Sequence, residues 1–271
     1  VSGARAGGEL PALLSSAVVE QAARTRQVLP VARFLAVVDR RTPSPWASFA
    51  LPDPSRWRAG PLDLYEALPG LEEIFSHAGL PLRFEFFEEM WPGLAGELAR
   101  AGFTDMHRQP LFVCRPRTAG PGPGVTTRPV HAADPDADLR LFLGIQAAAF
   151  ARQGEPASVP GHADVGRLRE ELLAGAQRCC LGLVHGEPAG AGSALDAEEI
   201  CEIAGVGTLP QWRGRGVAGA VTAALAEEHF RRGGSMAWLS AADERAGRVY
   251  ARVGFHPAGS SQVTVERPRE R

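Results

Sequence analysis

Apolar residues recur at helical spacing through ELPALLSSAVVEQAARTRQVL (9–29), and the pattern predicts a helix there. WASFALPD (46–53) alternates like a strand that stops at proline, and RFEFFEEMW (83–91) reads as a strand entering a helix. WPGLAGELARAGF (91–103) predicts a helix entered after Pro92 and ended at Gly102, where a C-cap glycine belongs; QPLFVCRP (109–116) follows as a strand. CRPRTAGPGPGVTTRP (114–129) is dense in Pro and Gly without apolar periodicity, and its centre, 117–124, is read as a linker between domains at 1–116 and 125–271.

The second half carries stronger signals. VTTRPV is a strand, and DADLRLFLGIQAAAFA (136–151) and DVGRLREELLAG (164–175) are amphipathic helices. RCCLGLVHGEPAGAGSAL predicts a hairpin turning at His185-Gly186-Glu187. EICEIAGVGTL (199–209) is a strand that leads through QWRGRG into a helix reaching about Arg232. MAWLSA (236–241), ERAGRVYARVGF (244–255) and SQVTVER then read as strand, helix and strand. VYARVGF echoes ELARAGF, and each is followed at the same distance by an apolar strand, so the chain is expected to hold two related halves. Helix–Gly–strand is also a common local solution, and the echo alone does not separate the two readings.

Composition narrows the function classes. The chain has 271 residues with 45% hydrophobic and 22% charged, the balance of a water-soluble folded protein. A net charge of −2 implies no general polyanion-binding surface, and arginines interspersed with as many acids argue against nucleic acid as a partner. The chain contains neither lysine nor asparagine, which excludes any chemistry needing them. Cys114, Cys179, Cys180 and Cys201 form no CxxC pair or zinc-finger spacing; a metal is not expected, and Cys179 and Cys180 read as buried strand positions. No apolar run approaches the roughly 18 residues of a membrane span, and no basic-then-apolar leader opens the sequence, so cytoplasm and no membrane partner are the expectation.

The candidate chemistry lies in GTLPQWRGRGVAGA (207–220). A strand entering a helix through a glycine-rich turn aims unpaired amides at one point, with the helix dipole behind them, and phosphate is the usual occupant. An ordinary flexible loop is the alternative. Gly-Lys-Ser/Thr is missing, as it must be without lysine; Gly214, Gly216 and Gly219 satisfy Gly-x-Gly-x-x-Gly, but no acidic ribose partner stands at the usual distance.

VGTLPQWRGRGVAGA, followed about thirty residues later by VYARVGF, resembles the GNAT superfamily of acyl-CoA-dependent N-acetyltransferases. Gln211-Trp212-Arg213-Gly214-Arg215-Gly216 matches the family's Gln/Arg-x-x-Gly-x-Gly/Ala signature, and Tyr250 through Phe255 its Tyr-x-x-x-Gly-Phe element. The element order over 125–267 fits as well: strand, two helices, three strands, helix, strand, helix, strand. The resemblance implies an α/β fold with a mixed central sheet flanked by helices and acetyl transfer from acetyl-CoA to a primary amine; together with the echo, the expectation is two tandem related halves. It implies that Arg213, Gly214, Arg215, Gly216, Val217 and Ala218 cradle the pyrophosphate with Gln211 in the signature. The backbone of Val206, Gly207 and Thr208 would meet the pantetheine arm, and Tyr250 would be the general acid.

The base is less defined. Glu202 lies an even number of residues from Val206, which predicts a shared face and a carboxylate able to deprotonate the amine through water; Glu199 falls on the opposite face and His185 on a turn. Asp243 stands where many family members carry a cofactor-touching Asn, and its charge needs Arg245 or Arg248 as compensation. In the first half Leu98 replaces the tyrosine and no Arg-Gly-x-Gly precedes it. That half is expected to cover the sheet, shape the acceptor pocket or form a homodimer, and Glu85, Glu88 and Glu89 are candidates to attract a cationic amine. The acceptor is a small-molecule or protein amine, and FARQGEPASVPGHAD (150–164), with Glu155 and His162, is the loop expected to select it. A non-catalytic acyl-CoA-binding or partner-binding module of the same fold is the alternative function.

Overall fold

The computed structural model describes residues 9–42, 47–60, 62–116, 124–151 and 157–268. Most of the 117–124 linker, and Glu155 of the expected acceptor loop, lie outside them. The chain forms two compact units, one made of Val1–Leu111 with Gly259–Arg271, the other of Phe112–Ala258. The sequence suggested one division near 117–124; the units divide the chain at two places because its last strand pairs with a strand of the first half.

In the first unit, α1 (Glu9–Ala23) is followed by the antiparallel hairpin β1 (Gln27–Val31) and β2 (Phe34–Val38), then β3 (Phe49–Pro52), α2 (Leu64–His77), β4 (Arg83–Phe87) and α3 (Leu94–Arg100). The helix expected over 9–29 therefore stops six residues early, because Gln27–Val31 is drawn into pairing with β2. Helix α2 is not among the elements expected from the sequence. Its N-cap Asp63 accepts from Glu66 N at 3.1 Å and its buried stripe is Leu64, Ala67, Leu71 and Phe75. Strand order is β1-β2-β3-β4 and then β11 (His256–Glu266), whose Gln262–Glu266 run antiparallel to β4. Phe34, Phe84 and Phe103 meet edge to face at the centre, with centroids 6.0 and 5.1 Å apart.

The second unit holds β6 (Val125–Val130), α4 (Asp136–Phe150), α5 (His162–Leu173), β7 (Arg178–Val184), β8 (Glu187–Ala197), β9 (Ile200–Thr208), α6 (Val217–Arg231), β10 (Met236–Ser240) and α7 (Glu244–Ala251). Its strand order is β10-β9-β8-β7-β6, antiparallel except for the parallel β9–β10 pair. Strand β5 (Asp105–Cys114) contributes Phe112 and Cys114 to the core formed by the faces of β9, α6 and β10. The hairpin turns at His185 and Gly186, both at positive φ (52° and 83°), the backbone of a tight two-residue turn.

From α1 in the first half and from α5 in the second, the described elements follow the same order, the second half carrying β6 and α4 in addition. Helix, three antiparallel strands, a short 3-10 turn (Pro54–Arg56; Pro210–Trp212), helix, parallel strand, helix and strand occur in each. The helix–Gly–strand echo thus belongs to a duplicated α/β architecture, a mixed sheet flanked by helices. Among the described residues no helix is long and apolar enough to cross a membrane.

Candidate active site

The seat of α6 is made of glycines. Gly182 and Gly190 are cross-strand partners on β7 and β8, and Gly192 lies two residues along on the same face. A Cβ on Gly182 would come within 2.8 Å of Val217 Cγ1, one on Gly190 within 2.6 Å of that atom, and one on Gly192 within 2.8 Å of Val221 Cγ1. The helix therefore lies against bare strand backbone, and the position of its first turn is fixed. Glycines inside predicted strands are the sequence signal for this close approach, and it does not figure among the expectations above.

That first turn starts from two left-handed residues, Gly214 (φ 80°) and Gly216 (φ 81°, the N-cap), where a Cβ would meet no protein atom within 4 Å. Glycine is required here by backbone conformation, and the space beside it is open. The helix's first backbone bond runs from Ala220 N to Gly216 O at 3.0 Å, so the amides of Val217, Ala218 and Gly219 lie ahead of the hydrogen-bonded ladder. Arg213 and Arg215 are exposed; Arg215 lies 5.2 Å from the Trp212 ring centroid, and Arg213 Nε reaches Thr208 O at 3.4 Å. Gln211 is exposed on the 3-10 turn. Gly219 is buried and serves packing: a Cβ there would touch Val253 at 3.4 Å.

Strand β9 diverges from β10. Their parallel register covers only Ile200–Met236, Cys201–Ala237 and Glu202–Trp238, while β9 continues to Thr208. The edge from Ile203 to Thr208, which includes Val206, Gly207 and Thr208, has no strand partner on that side among the described residues. Its other side pairs with β8, with a bulge: Ala204 faces Ser193 and Gly207 faces Ala191, so Gly205 and Val206 together oppose Gly192. Gly205 has φ 60°, its carbonyl accepts from Gln146 Nε2 at 3.0 Å, and a Cβ on Gly207 would strike Ala149 at 2.4 Å. The two glycines let α4 settle onto the end of β9, a role for Gln146 that sequence reasoning missed.

The bulge corrects the expected placement of Glu202. One extra residue reverses the alternation, so Val206 packs with Ile203 on the α6 side while Glu202 shares the α4 side with its partner Leu195. Glu202 stands at the last paired position, where β9 and β10 part. Glu199 lies on the β8–β9 turn and its carbonyl accepts from Ser235 N at 2.8 Å; His185 is exposed on the hairpin turn.

Tyr250, on α7, packs half-buried against the cluster that holds Val206, Ile203 and Val221, with its ring 6.5 Å from that of Phe255. Burial, and then the charge of Asp243, push its phenol above the ordinary tyrosine range and keep it protonated. Asp243 is the N-cap of α7 and accepts from Ala246 N at 2.7 Å. The expected compensation by arginine does not occur among the described ion pairs: Arg248 lies 3.8 Å from Glu244 instead, and the helix amide meets the Asp243 carboxylate.

Elsewhere in the unit, Asp196, Cys201 and His229 bring metal-ligand atoms within 4.8 Å of one another. Arg178 occupies that carboxylate, donating to both Asp196 oxygens at 2.6 and 2.8 Å, and His229 bonds Asp196 and the Glu199 carbonyl at 3.2 and 3.0 Å. Asp196 is thus held by an ion pair with Arg178 and a hydrogen bond with His229.

Among the described residues the first unit shows no counterpart of this glycine turn. The N-terminus of α2, which corresponds to α6, is closed by Asp63 with Glu66 in the first turn, a placement that repels phosphate, and Leu98 takes the tyrosine position. Glu85, Glu88 and Glu89, considered as attractors of an amine, are each engaged: by Arg83, by Arg108 through two nitrogens, and by Ser260 and Ser261.

Residues 147–255 match the family model described as the Acetyltransferase (GNAT) family. Among solved structures the chain is similar to a GCN5-related N-acetyltransferase from Kribbella flavida, at 24% identity over 96% of both chains with a TM-score of 0.73. It also resembles a GCN5-related N-acetyltransferase from Sphaerobacter thermophilus, at 20% identity over 88% and 78% of the two chains and TM-score 0.59. A tandem GNAT protein from the clavulanic acid biosynthesis pathway aligns at 13% identity over 88% and 79%, with TM-score 0.54. No curated protein matches the chain. The fold is that of the GNAT N-acetyltransferases, and the match to the family's model falls on residues 147–255.

Proposed function

We propose that the second unit transfers an acetyl group from acetyl-CoA to a primary amine by direct attack. The observation that carries this reading is the unpaired β9 edge from Ile203 to Thr208, which leads straight into the open amides at the start of α6. A pantetheine arm has amide groups to pair along such an edge, and a pyrophosphate fits the amides of Arg213 to Ala218 beside Arg213 and Arg215. The residues present suit the co-substrate: the cradle is glycine where a Cβ would point into open space.

Tyr250 donates a proton to the departing sulfur, a task for a phenol that is protonated at neutral pH. Glu202 takes the proton released by the attacking amine, through water, from the opposite face of the opening between β9 and β10. Acid and base thus flank the gap, with the amine arriving from the α4 side and the thiol leaving on the α6 side. The acceptor is a small-molecule or protein amine, the first unit serves as a support without a cofactor of its own, and a homodimer is compatible with that role.

The test is thermal unfolding of wild type and Gly214→Glu with saturating acetyl-CoA, followed by an amine panel. Ligand at about 100 times its Kd adds about 2.7 kcal/mol, a rise of several degrees. A rise that the glutamate abolishes, together with turnover, supports the reading. A rise without turnover on any amine leaves an acyl-CoA-binding module, and no rise in either protein overturns the proposal.

A further inference from the structure

We propose that Phe112 and Gly247 form a positioning pair for Tyr250. The far edge of the Phe112 ring lies where a side chain at 247 would stand, and this contact sets how close α7 comes to β5. Its catalytic consequence rests on the reading of Tyr250 as the proton donor; the packing itself does not.

Glycine weakens a helix interior, and α7 has only eight residues. Backbone conformation does not call for it here. Unlike Gly214 and Gly216, Gly247 lies outside the left-handed region, and its helical amide donates to Asp243 O at 3.0 Å. The requirement comes from β5. A Cβ on Gly247 would stand 2.7 Å from Phe112 Cζ, 3.2 Å from Cε2 and 3.7 Å from Cε1. Cζ lies on the axis about which the ring turns, so a ring flip leaves the clash in place. Swinging the whole side chain would drive it into the buried cluster that holds Cys114, Val253 and Phe255, of which Phe112 is itself a member.

Tyr250 follows Gly247 by three residues within the helix, so the two positions are neighbours on its surface, and Tyr250 packs on the cluster that contains Phe112. On another side α7 meets α6 at Gly219, where a Cβ would stand 3.4 Å from Val253 Cγ1 and 3.7 Å from Val249 Cγ1. The helix that carries the phenol is therefore seated between the Phe112 ring and the helix that carries the open amides. At Gly219 an added methyl makes a close but tolerable contact; at Gly247 it overlaps a ring carbon. Of the two seats, the one at Phe112 is displaced by a single added carbon. Such a displacement carries Tyr250 away from the sulfur it serves in the proposed reaction.

The chain has two tyrosines, and Tyr65 is 58% exposed on the first unit, so Tyr65→Phe leaves Tyr250 alone. 3-Fluorotyrosine incorporated in that background gives one ¹⁹F resonance that reports the surroundings of Tyr250 without substrate. Gly247→Ala should lower the melting temperature and move this resonance, although alanine is the better helix former. With Phe112→Leu, which lacks the far edge of the ring, the same alanine should raise the melting temperature and leave the resonance where Phe112→Leu alone has it. A more stable Gly247→Ala protein with an unmoved resonance overturns the proposal, as does an equal shift with phenylalanine and with leucine at 112. If Gly247→Ala does not fold, Phe112→Leu should restore folding and by itself move the resonance; failure of either overturns the pair. Where turnover is found, Gly247→Ala should lower kcat by about 10- to 100-fold with the KM for acetyl-CoA unchanged, and Phe112→Leu should recover the loss. A moved resonance with unchanged kcat leaves the pair standing and removes Tyr250 as the acid. A resonance moved by Gly247→Ala and restored by Phe112→Leu, in a protein without turnover on any amine, upholds the pair and refutes the acetyltransferase reading.

Discussion

Val217 Cγ1 stands where a side chain on Gly190 would have to go: a Cβ there would lie 2.6 Å from it and 2.7 Å from Gly207 O. The first turn of α6, strand β8 and the end of β9 are thereby locked to one another through missing atoms, and the open amides of the turn inherit their position from that contact.

Gly190→Ala should accordingly be more damaging than Gly182→Ala. The intruding methyl meets a backbone carbonyl at position 190, whereas at 182 it meets the side chains of Val217 and Val221, which can turn. Overpacking of this kind costs about 1–3 kcal/mol. Urea unfolding should show Gly190→Ala at the upper end of that range, with acetyl-CoA stabilisation lost at the same time. Equal stability of the two variants would contradict the arrangement.

The Arg178–Asp196–His229 network should give the second unit an acid-sensitive component. Burial opposes ionisation of Asp196, but hydrogen bonds from Arg178 and His229 outweigh it and hold the carboxyl below the usual range. A folded-state value below the unfolded one, about 3.9, means stability that is complete above that pH and lost as pH falls through the folded value. Asp196→Asn should lower stability at pH 7 by about 3 kcal/mol, the low end for breaking a buried pair. It should also flatten the fall in melting temperature below about pH 4. An unchanged acid slope in the variant would remove Asp196 as its source.

All four cysteines are free and buried, with Cys179 pushed up to about 12 and Cys180 to about 11, chiefly by burial. Thiolate is the reactive species, so a disulfide reagent at pH 8 should label none in the native protein and four after unfolding. Rapid labelling of Cys201 in the native state would mean that the core around Asp196 and His229 opens.

Much of the backbone of the candidate site was legible in the sequence because its signals are local. Gly214 and Gly216 announced left-handed backbone ahead of a helix, the spacing from Gln211 to Tyr250 placed turn and phenol on successive helices, and Gly102 and Gly254 marked matching helix ends. Glu202 was less readable. A count of residues gives its face only while the strand alternates, and the bulge at Gly205 and Val206 breaks the count.

By itself the sequence determined the helices and strands of the second half, the echo of one helix–Gly–strand unit in the first, and the residue types available at the turn, since hydrophobic period, capping and glycine act over a few residues. Tertiary structure alone decided that Gln262–Glu266 completes the first unit beside β4, that β9 parts from β10 after Glu202, and that α6 rests in the trough of Gly182, Gly190 and Gly192. Those outcomes depend on which backbone edge finds which partner and how closely two elements can approach, and hydrogen bonding and excluded volume between residues distant in the chain settle both.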